Sequence, residues 1–358
     1  MRRIGMIGAG HIATVHAYAL TQLSRAGLID AALHAVHDRD AARAARLVKH
    51  HGGEVRPTTE AVLDDCDVVW ICTWTDGHLP AVRAAVERTL PVFCEKPLAP
   101  DLPACREVAA LLTRVPHQVG LVLRSAPAFA TIADAVRSGD HGPVEAAILR
   151  DDQYFPIQGM YGSTWRSEVE HAGGGTLIEH SIHDVDVLRW ILGDPAEVAA
   201  RTSNRFGYAG IDDTATVQLH YDGGAHASLV SVWHQILSRG SGRRLEVFCE
   251  GAYLHTADDY LGPVTIETSD TMSEIEGTVP EWASRLDVPE VYEKAIAQYA
   301  APSKQFLDGL DAAGGAVSGH PEVDDALAAH VIVDTAYRSA ALGGQPLRYE
   351  SPDVSNVT

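Results

Sequence analysis

Three residues of this chain have the side chains needed to move a hydride and a proton: Lys96, His183 and Glu179. Lys96 stands between Glu95 and Pro97, directly after the strand-like run from Pro91 to Cys94. Proline has no amide donor and biases the preceding residue away from helix, so this lysine belongs on a fixed loop. The carboxyl end of a parallel strand is where open α/β sheets place their ligands. An ammonium there can hydrogen-bond an oxygen that gains negative charge as hydride departs. His183 supplies an acid/base that works near neutral pH. Glu179 precedes it by four residues on a predicted helix, so the two share a face, and Asp186 falls near the same stripe. His180 completes a Glu-His-x-x-His run, yet the zinc-protease patterns are His-Glu-x-x-His and His-x-x-Glu-His, and no metal is expected.

Hydride chemistry needs a carrier, and the first residues suit one. Gly8-Ala9-Gly10-His11-Ile12-Ala13 reads G-x-G-x-x-A, placed after an apolar strand and opening a helix. The first glycine makes the tight turn, and the second lets backbone approach a pyrophosphate. The small sixth residue lets helix and strand pack closely, while the helix N-terminus faces the anion. Asp38 closes the second predicted strand, 28 residues after Gly10. Its carboxylate would accept from the ribose hydroxyls of NAD and repel the extra phosphate of NADP. Arg39 beside it could welcome that phosphate or stack on adenine, so NAD is the expected cofactor and NADP the lesser one.

Further segments narrow the reading. Thr73-Trp74-Thr75-Asp76-Gly77-His78 ends one strand, Glu95-Lys96-Pro97 ends the next, and Gly173-Gly174-Gly175 precedes Glu179 and His183-Asp184-Val185-Asp186. In this order and spacing the chain resembles, over nearly its whole length, the glucose–fructose oxidoreductase / inositol dehydrogenase (Gfo/Idh/MocA) family. The resemblance implies NAD(P)-dependent oxidation or reduction of a sugar, cyclitol or related polyol. It implies catalytic roles for Lys96 and His183, with Glu179 where the family commonly has Asp. It places Gly8, Gly10, His11, Ile12, Asp38, Arg39, Thr73, Thr75, His78, Glu95 and Lys96 along the cofactor. Arg124, Trp165 and Arg166 fall where relatives often place substrate contacts. It also implies a homodimer or homotetramer joined through an open sheet. Two other uses of the same residues stay open: a hydrolase or lyase that oxidises a sugar hydroxyl transiently, and a silent NAD sensor.

The elements that must position these residues follow from the apolar pattern. Up to about residue 123, continuous apolar runs alternate with Ala-rich amphipathic stretches at 41–50, 79–89 and 101–113. That is the pattern of a doubly wound parallel sheet covered on both faces, a Rossmann domain over 1–125. From 126 to 358 the pattern is α+β around a mostly antiparallel, open-faced sheet. One hairpin turns at Asp222-Gly223-Gly224. A single helix is expected from Thr176 to Leu192 and others near 303–311 and 322–342, with the last free to pack back on the first domain. Residues 256–300 carry no clear period.

Composition removes other classes. With 46% apolar and 21% charged residues the chain is globular. A net charge of −20 without a Lys/Arg run opposes nucleic-acid binding. Five scattered cysteines form no Cys-x-x-Cys pair, and no membrane-length apolar span occurs. A cytoplasmic location is expected.

Overall fold

The computed structural model describes residues 1–257, 259–312 and 321–352. Two sheets organise it. The first is parallel and six-stranded, in the order β3-β2-β1-β4-β5-β6. Its strands are β1 (Arg2–Ile7), β2 (Ala31–His37), β3 (Glu54–Val55), β4 (Val68–Ile71), β5 (Val92–Cys94) and β6 (His117–Val119). The crossovers are α1 (His11–Arg25), α2 (Ala41–His51), α3 (Thr59–Leu63), α4 (His78–Glu87) and α5 (Leu102–Leu112). Every residue of β4 and β5 is buried, as a strand covered on both faces requires. Asp40 and Asp101 cap α2 and α5, accepting from the Ala42 and Ala104 amides. The edge strand β3 has two exposed residues and no apolar period, which is why it is invisible in the sequence.

Helix α6 (Pro127–Ser138) leads into a nine-stranded mixed sheet, ordered β14-β13-β12-β11-β7-β10-β9-β8-β15. Its strands are β7 (Val144–Tyr154), β8 (Glu197–Ser203), β9 (Thr214–His220), β10 (His226–His234), β11 (Gly242–Cys249), β12 (Tyr253–Thr256), β13 (Val264–Glu267), β14 (Met272–Ile275) and β15 (Leu347–Arg348). Only β7 and β10 run parallel; the other pairs are antiparallel. The expected hairpin joins β9 and β10, with Gly224 at φ +88° in its turn. One face carries the core against α6 and two later helices, whereas the other carries Ile148 and Phe248 exposed.

The single helix expected over 176–192 is instead α8 (Thr176–Glu179) and α9 (Ile182–Leu192), after the short α7 (Val169–Ala172). Between them the Ser181 hydroxyl turns inward to Asp151, 2.7 Å away, and bends the chain. Helix α10 (Glu290–Asp311) starts well before residue 303 and runs through Pro302. Ala300, Ile296 and Tyr299 of this helix pack with Ala19 and Leu23 of α1, burial that offsets the hydrogen bond the proline removes. Phe306 of α10 joins Trp70 and Phe93 in the core under the parallel sheet. Helix α11 (Val323–Ala341) bridges both sheets: Val323 and Leu327 pack with Leu98 and Val119, and Ile332 and Ala336 with the second core.

Candidate active site

Residues from both sheets line a cavity of about 670 Å³ at the carboxyl ends of the parallel strands. Gly8 holds φ +91°, and a Cβ there would stand 2.4 Å from the Cys72 carbonyl oxygen. A Cβ on Gly10 would meet nothing within 4 Å, so the backbone is open to a ligand at that point. Gly10 is also the N-cap of α1 and offers no side-chain acceptor, so the first amides of the helix remain for an anion. His11 and Ile12 line the cavity beside them. These residues fit a dinucleotide.

Asp38 braces this loop: one oxygen accepts from the Ala9 amide and the other from the Asp40 amide, both at 2.7 Å. The Arg39 guanidinium lies 4.2 Å over the Trp74 ring. Trp74 in turn stacks on Trp165 at 5.8 Å, and the Arg166 guanidinium lies 4.3 Å over the Trp165 ring. The segment after β7 thus reaches back to the first sheet, and Tyr161 meets His11 edge-on at 5.5 Å.

Lys96 Nζ donates to the Glu179 carbonyl oxygen at 2.7 Å. The break after α8 leaves that carbonyl at a helix end, where no intrahelical donor follows. The Glu179 carboxylate, 2% exposed, accepts from the Thr75 hydroxyl (2.6 Å) and from Arg166 Nε (3.0 Å). Because the predicted helix is broken, Glu179 serves Thr75, Arg166 and Lys96 and makes no hydrogen bond to His183. His183 lines the same cavity, and its Nδ1 has no partner among the described residues. Burial, then the charges of Lys96 and Arg243, hold the imidazole well below its usual pKa, so it is neutral and a weaker base than a free imidazole. Burial likewise lowers Lys96, partly offset by Glu179.

Glu95 lies beneath. Its carboxylate meets His16 Nε2 at 2.7 Å and accepts from the Lys96 amide, while a Cβ on Gly120 would collide with it. Thr73 lines the cavity with Thr75.

Two of the expected contact residues, Arg124 and His78, are not among the residues that line the cavity. Arg124 does not face the cavity: it makes a bidentate pair with Asp186 (2.6 and 2.9 Å) and a third bond to Asp325 on α11. Those carboxylates hold the guanidinium in place, and the pair also occupies Asp186. His78 is buried, with Nδ1 2.7 Å from the Pro97 carbonyl, so it holds the loop of Lys96 and does not line the cavity. Reading the sequence also missed Arg243, Tyr161 and His16; Arg243 stands at an inward-facing position of a strand-like alternation, a signal that was available. Among the described residues no group of three or more His, Cys, Asp or Glu side chains is placed to hold a metal, and no helix is long and apolar enough to cross a membrane.

Comparison with known proteins bears on this geometry. Residues 2–121 match the oxidoreductase family with NAD-binding Rossmann fold, and residues 129–255 match the GFO/IDH/MocA C-terminal domain. An inositol 2-dehydrogenase of Rhizobium meliloti (strain 1021) is 30% identical over 95% of this chain and 97% of its own length. A 1,5-anhydro-D-fructose reductase of Ensifer adhaerens is 33% identical over 63% of this chain and 68% of its own. Among solved structures, a putative myo-inositol dehydrogenase from Sinorhizobium meliloti 1021 superposes with a TM-score of 0.77 at 26% identity, covering 98% of this chain and all (100%) of that one. A levoglucosan dehydrogenase in complex with NADH and L-sorbose gives a TM-score of 0.86 at 19% identity, over 99% and 100% of the two chains.

Proposed function

The chain belongs to the GFO/IDH/MocA family of NAD-binding oxidoreductases, and we propose that it exchanges a hydride between NAD and a secondary hydroxyl of a neutral sugar or cyclitol. The observation that carries this reading is the convergence of Lys96 and His183 on one cavity, with the imidazole neutral and the ammonium held by the Glu179 carbonyl. NAD, when bound, supplies the hydride acceptor. Lys96 donates a hydrogen bond to the substrate oxygen as the C–H bond gives up its electron pair. His183 takes the hydroxyl proton, a contribution of about 10²–10⁴ in rate for a general base of this kind. Glu179 positions both Arg166 and the lysine. In the reverse direction His183 returns the proton.

Asp38 favours NAD over NADP by charge. Residues 1–125 form the cofactor domain in this reading and 126–358 the substrate domain, with α10 and α11 shared. The protein assembles as a homodimer or homotetramer through the outer face of the second sheet, where Ile148 and Phe248 are exposed. It acts in the cytoplasm, which suits five reduced, buried cysteines. The test is a screen of inositols, aldoses and anhydro-sugars for net NADH formation. Accumulation of NADH supports a dehydrogenase; substrate consumption without NADH indicates transient redox, and no turnover despite tight NAD binding indicates a sensor.

A further inference from the structure

The inner face of the second sheet is mostly apolar, and one rung beside the cavity carries charge. On β10, β7 and β11 the residues directly opposite one another there are Ser231, Asp151 and Arg243. All three are buried, Arg243 at 4% exposure, on strands whose other inward positions include Leu149, Leu229, Leu245 and Val247. Asp184 of α9 closes over the rung and accepts from Arg243 Nε at 2.8 Å. Arg243 Nη2 stands 3.5 Å from Asp151 and makes no hydrogen bond to any described residue. The side chain lines the cavity together with His180 and Tyr260.

Burying one cation and two carboxylates in a sheet core brings little net stability, since apolar residues of similar volume usually do as well or better. The buried Nη2 without a hydrogen bond is a cost in addition. Nη2 faces Asp151 and is closed to the cavity, which leaves Nη1, with no hydrogen bond to a described residue, as the nitrogen whose acceptors a substrate in the cavity supplies. The charge balance then says what those acceptors are. With both ionised, Asp151 and Asp184 outweigh the guanidinium by one charge, so it can donate hydrogen bonds without drawing in an anion. Arg166, which lines the cavity as well, is likewise paired, with Glu179.

We infer that Arg243 is a specificity-determining residue that binds a hydroxyl of the polyol away from the reacting carbon, and that Asp151 and Asp184 keep the site selective for uncharged over acidic sugars. The inference rests on the polyol-oxidoreductase reading and goes beyond it by naming the discriminating group. Burial pushes the Asp184 carboxyl up to about 7, so it is ionised at pH 8, the condition for the test.

The test uses NAD-loaded protein at pH 8. The neutral probe is whichever of myo-inositol, D-glucose and levoglucosan the wild type oxidises fastest; the acidic probe is D-glucuronate as a competitive inhibitor. Arg243→Gln should raise KM for the neutral probe about tenfold, one hydrogen bond's worth, with NAD affinity and melting temperature as controls on folding. Arg243→Gln/Asp184→Asn keeps the charges closer to balance and should show the same rise if the single variant does not fold. Asp184→Asn alone leaves the guanidinium with a single counter-charge and should lower the ratio of glucuronate Ki to neutral-probe KM by about tenfold. A folded Arg243 variant with unchanged KM, or an unchanged ratio in Asp184→Asn, overturns the inference and leaves the oxidoreductase reading standing. Wild type that oxidises none of the three probes removes that reading, and the inference with it.

Discussion

Lys96 Nζ and the backbone carbonyl of Glu179 are 2.7 Å apart, a bond that joins the end of β5 to the break between α8 and α9. The lysine comes from the parallel sheet and the carbonyl from the segment over the mixed sheet. Their meeting fixes the ammonium where both halves of the molecule contribute to the cavity.

Glu179→Gln is the direct probe of that junction. It keeps the carbonyl that Lys96 uses and weakens only the bonds to Thr75 and Arg166. Hydrogen bonds to a charged group contribute about 1.5–3 kcal/mol, so kcat should fall roughly 10- to 100-fold while helical circular dichroism is retained. Steady-state kinetics of the purified variant checks this.

Asp38→Asn separates charge from bracing. Asparagine can still accept from the Ala9 amide through its carbonyl oxygen, so the glycine loop keeps its anchor. The repulsion of a 2′-phosphate is lost, and calorimetric titration should show NADP binding closer to NAD. Asp38→Ala should weaken both cofactors, because it removes the brace as well.

Arg124→Met tests the correction made to that residue. Asp186 would keep a buried charge without its bidentate partner, a change that costs about 3–5 kcal/mol when one member of such a pair is removed. Thermal denaturation should show a lower melting temperature, and KM for the polyol should stay at the wild-type value.

His330 gives a pH dependence with a definite sign. It accepts the Leu98 amide hydrogen at 2.9 Å, and burial holds its pKa down to about 3. Between about 6.5 and about 3 the unfolded chain binds this proton and the folded chain does not, so stability falls as pH falls through that window. His330→Gln can still accept from Leu98 but cannot titrate. Its stability should lose up to about 1.4 kcal/mol less per pH unit below pH 6 than wild type, as measured by urea unfolding at several pH values.

Legibility followed locality. The glycine turn, the parallel strands and the Glu95-Lys96-Pro97 loop are set by neighbours in sequence, and the amino-acid pattern announces them. The break at Ser181 is set by Asp151 across the sheet, so a continuous helix was the reasonable expectation from periodicity. Arg124 is claimed by Asp325, 201 residues away, a partner no spacing rule reaches. Pro302 reads as a helix start because its cost is local, whereas the packing of α10 on α1 that offsets it is tertiary. Arg243 was readable in part: it shares parity with Leu245 and Val247 on β11, and a charge on the buried side of an alternating strand is itself the signal.

The central claim is that Lys96 acts on the oxygen of the transferring hydroxyl rather than in binding cofactor. Its most direct test is NAD reduction by Lys96→Ala, followed by nicotinamide absorbance on a polyol that the wild type oxidises, beside NAD titration of the same protein. The account predicts turnover lower by several orders of magnitude with NAD affinity nearly intact, because the lysine's hydrogen bond strengthens as charge develops on oxygen. Turnover at the wild-type rate would contradict it and place the chemistry elsewhere in the cavity.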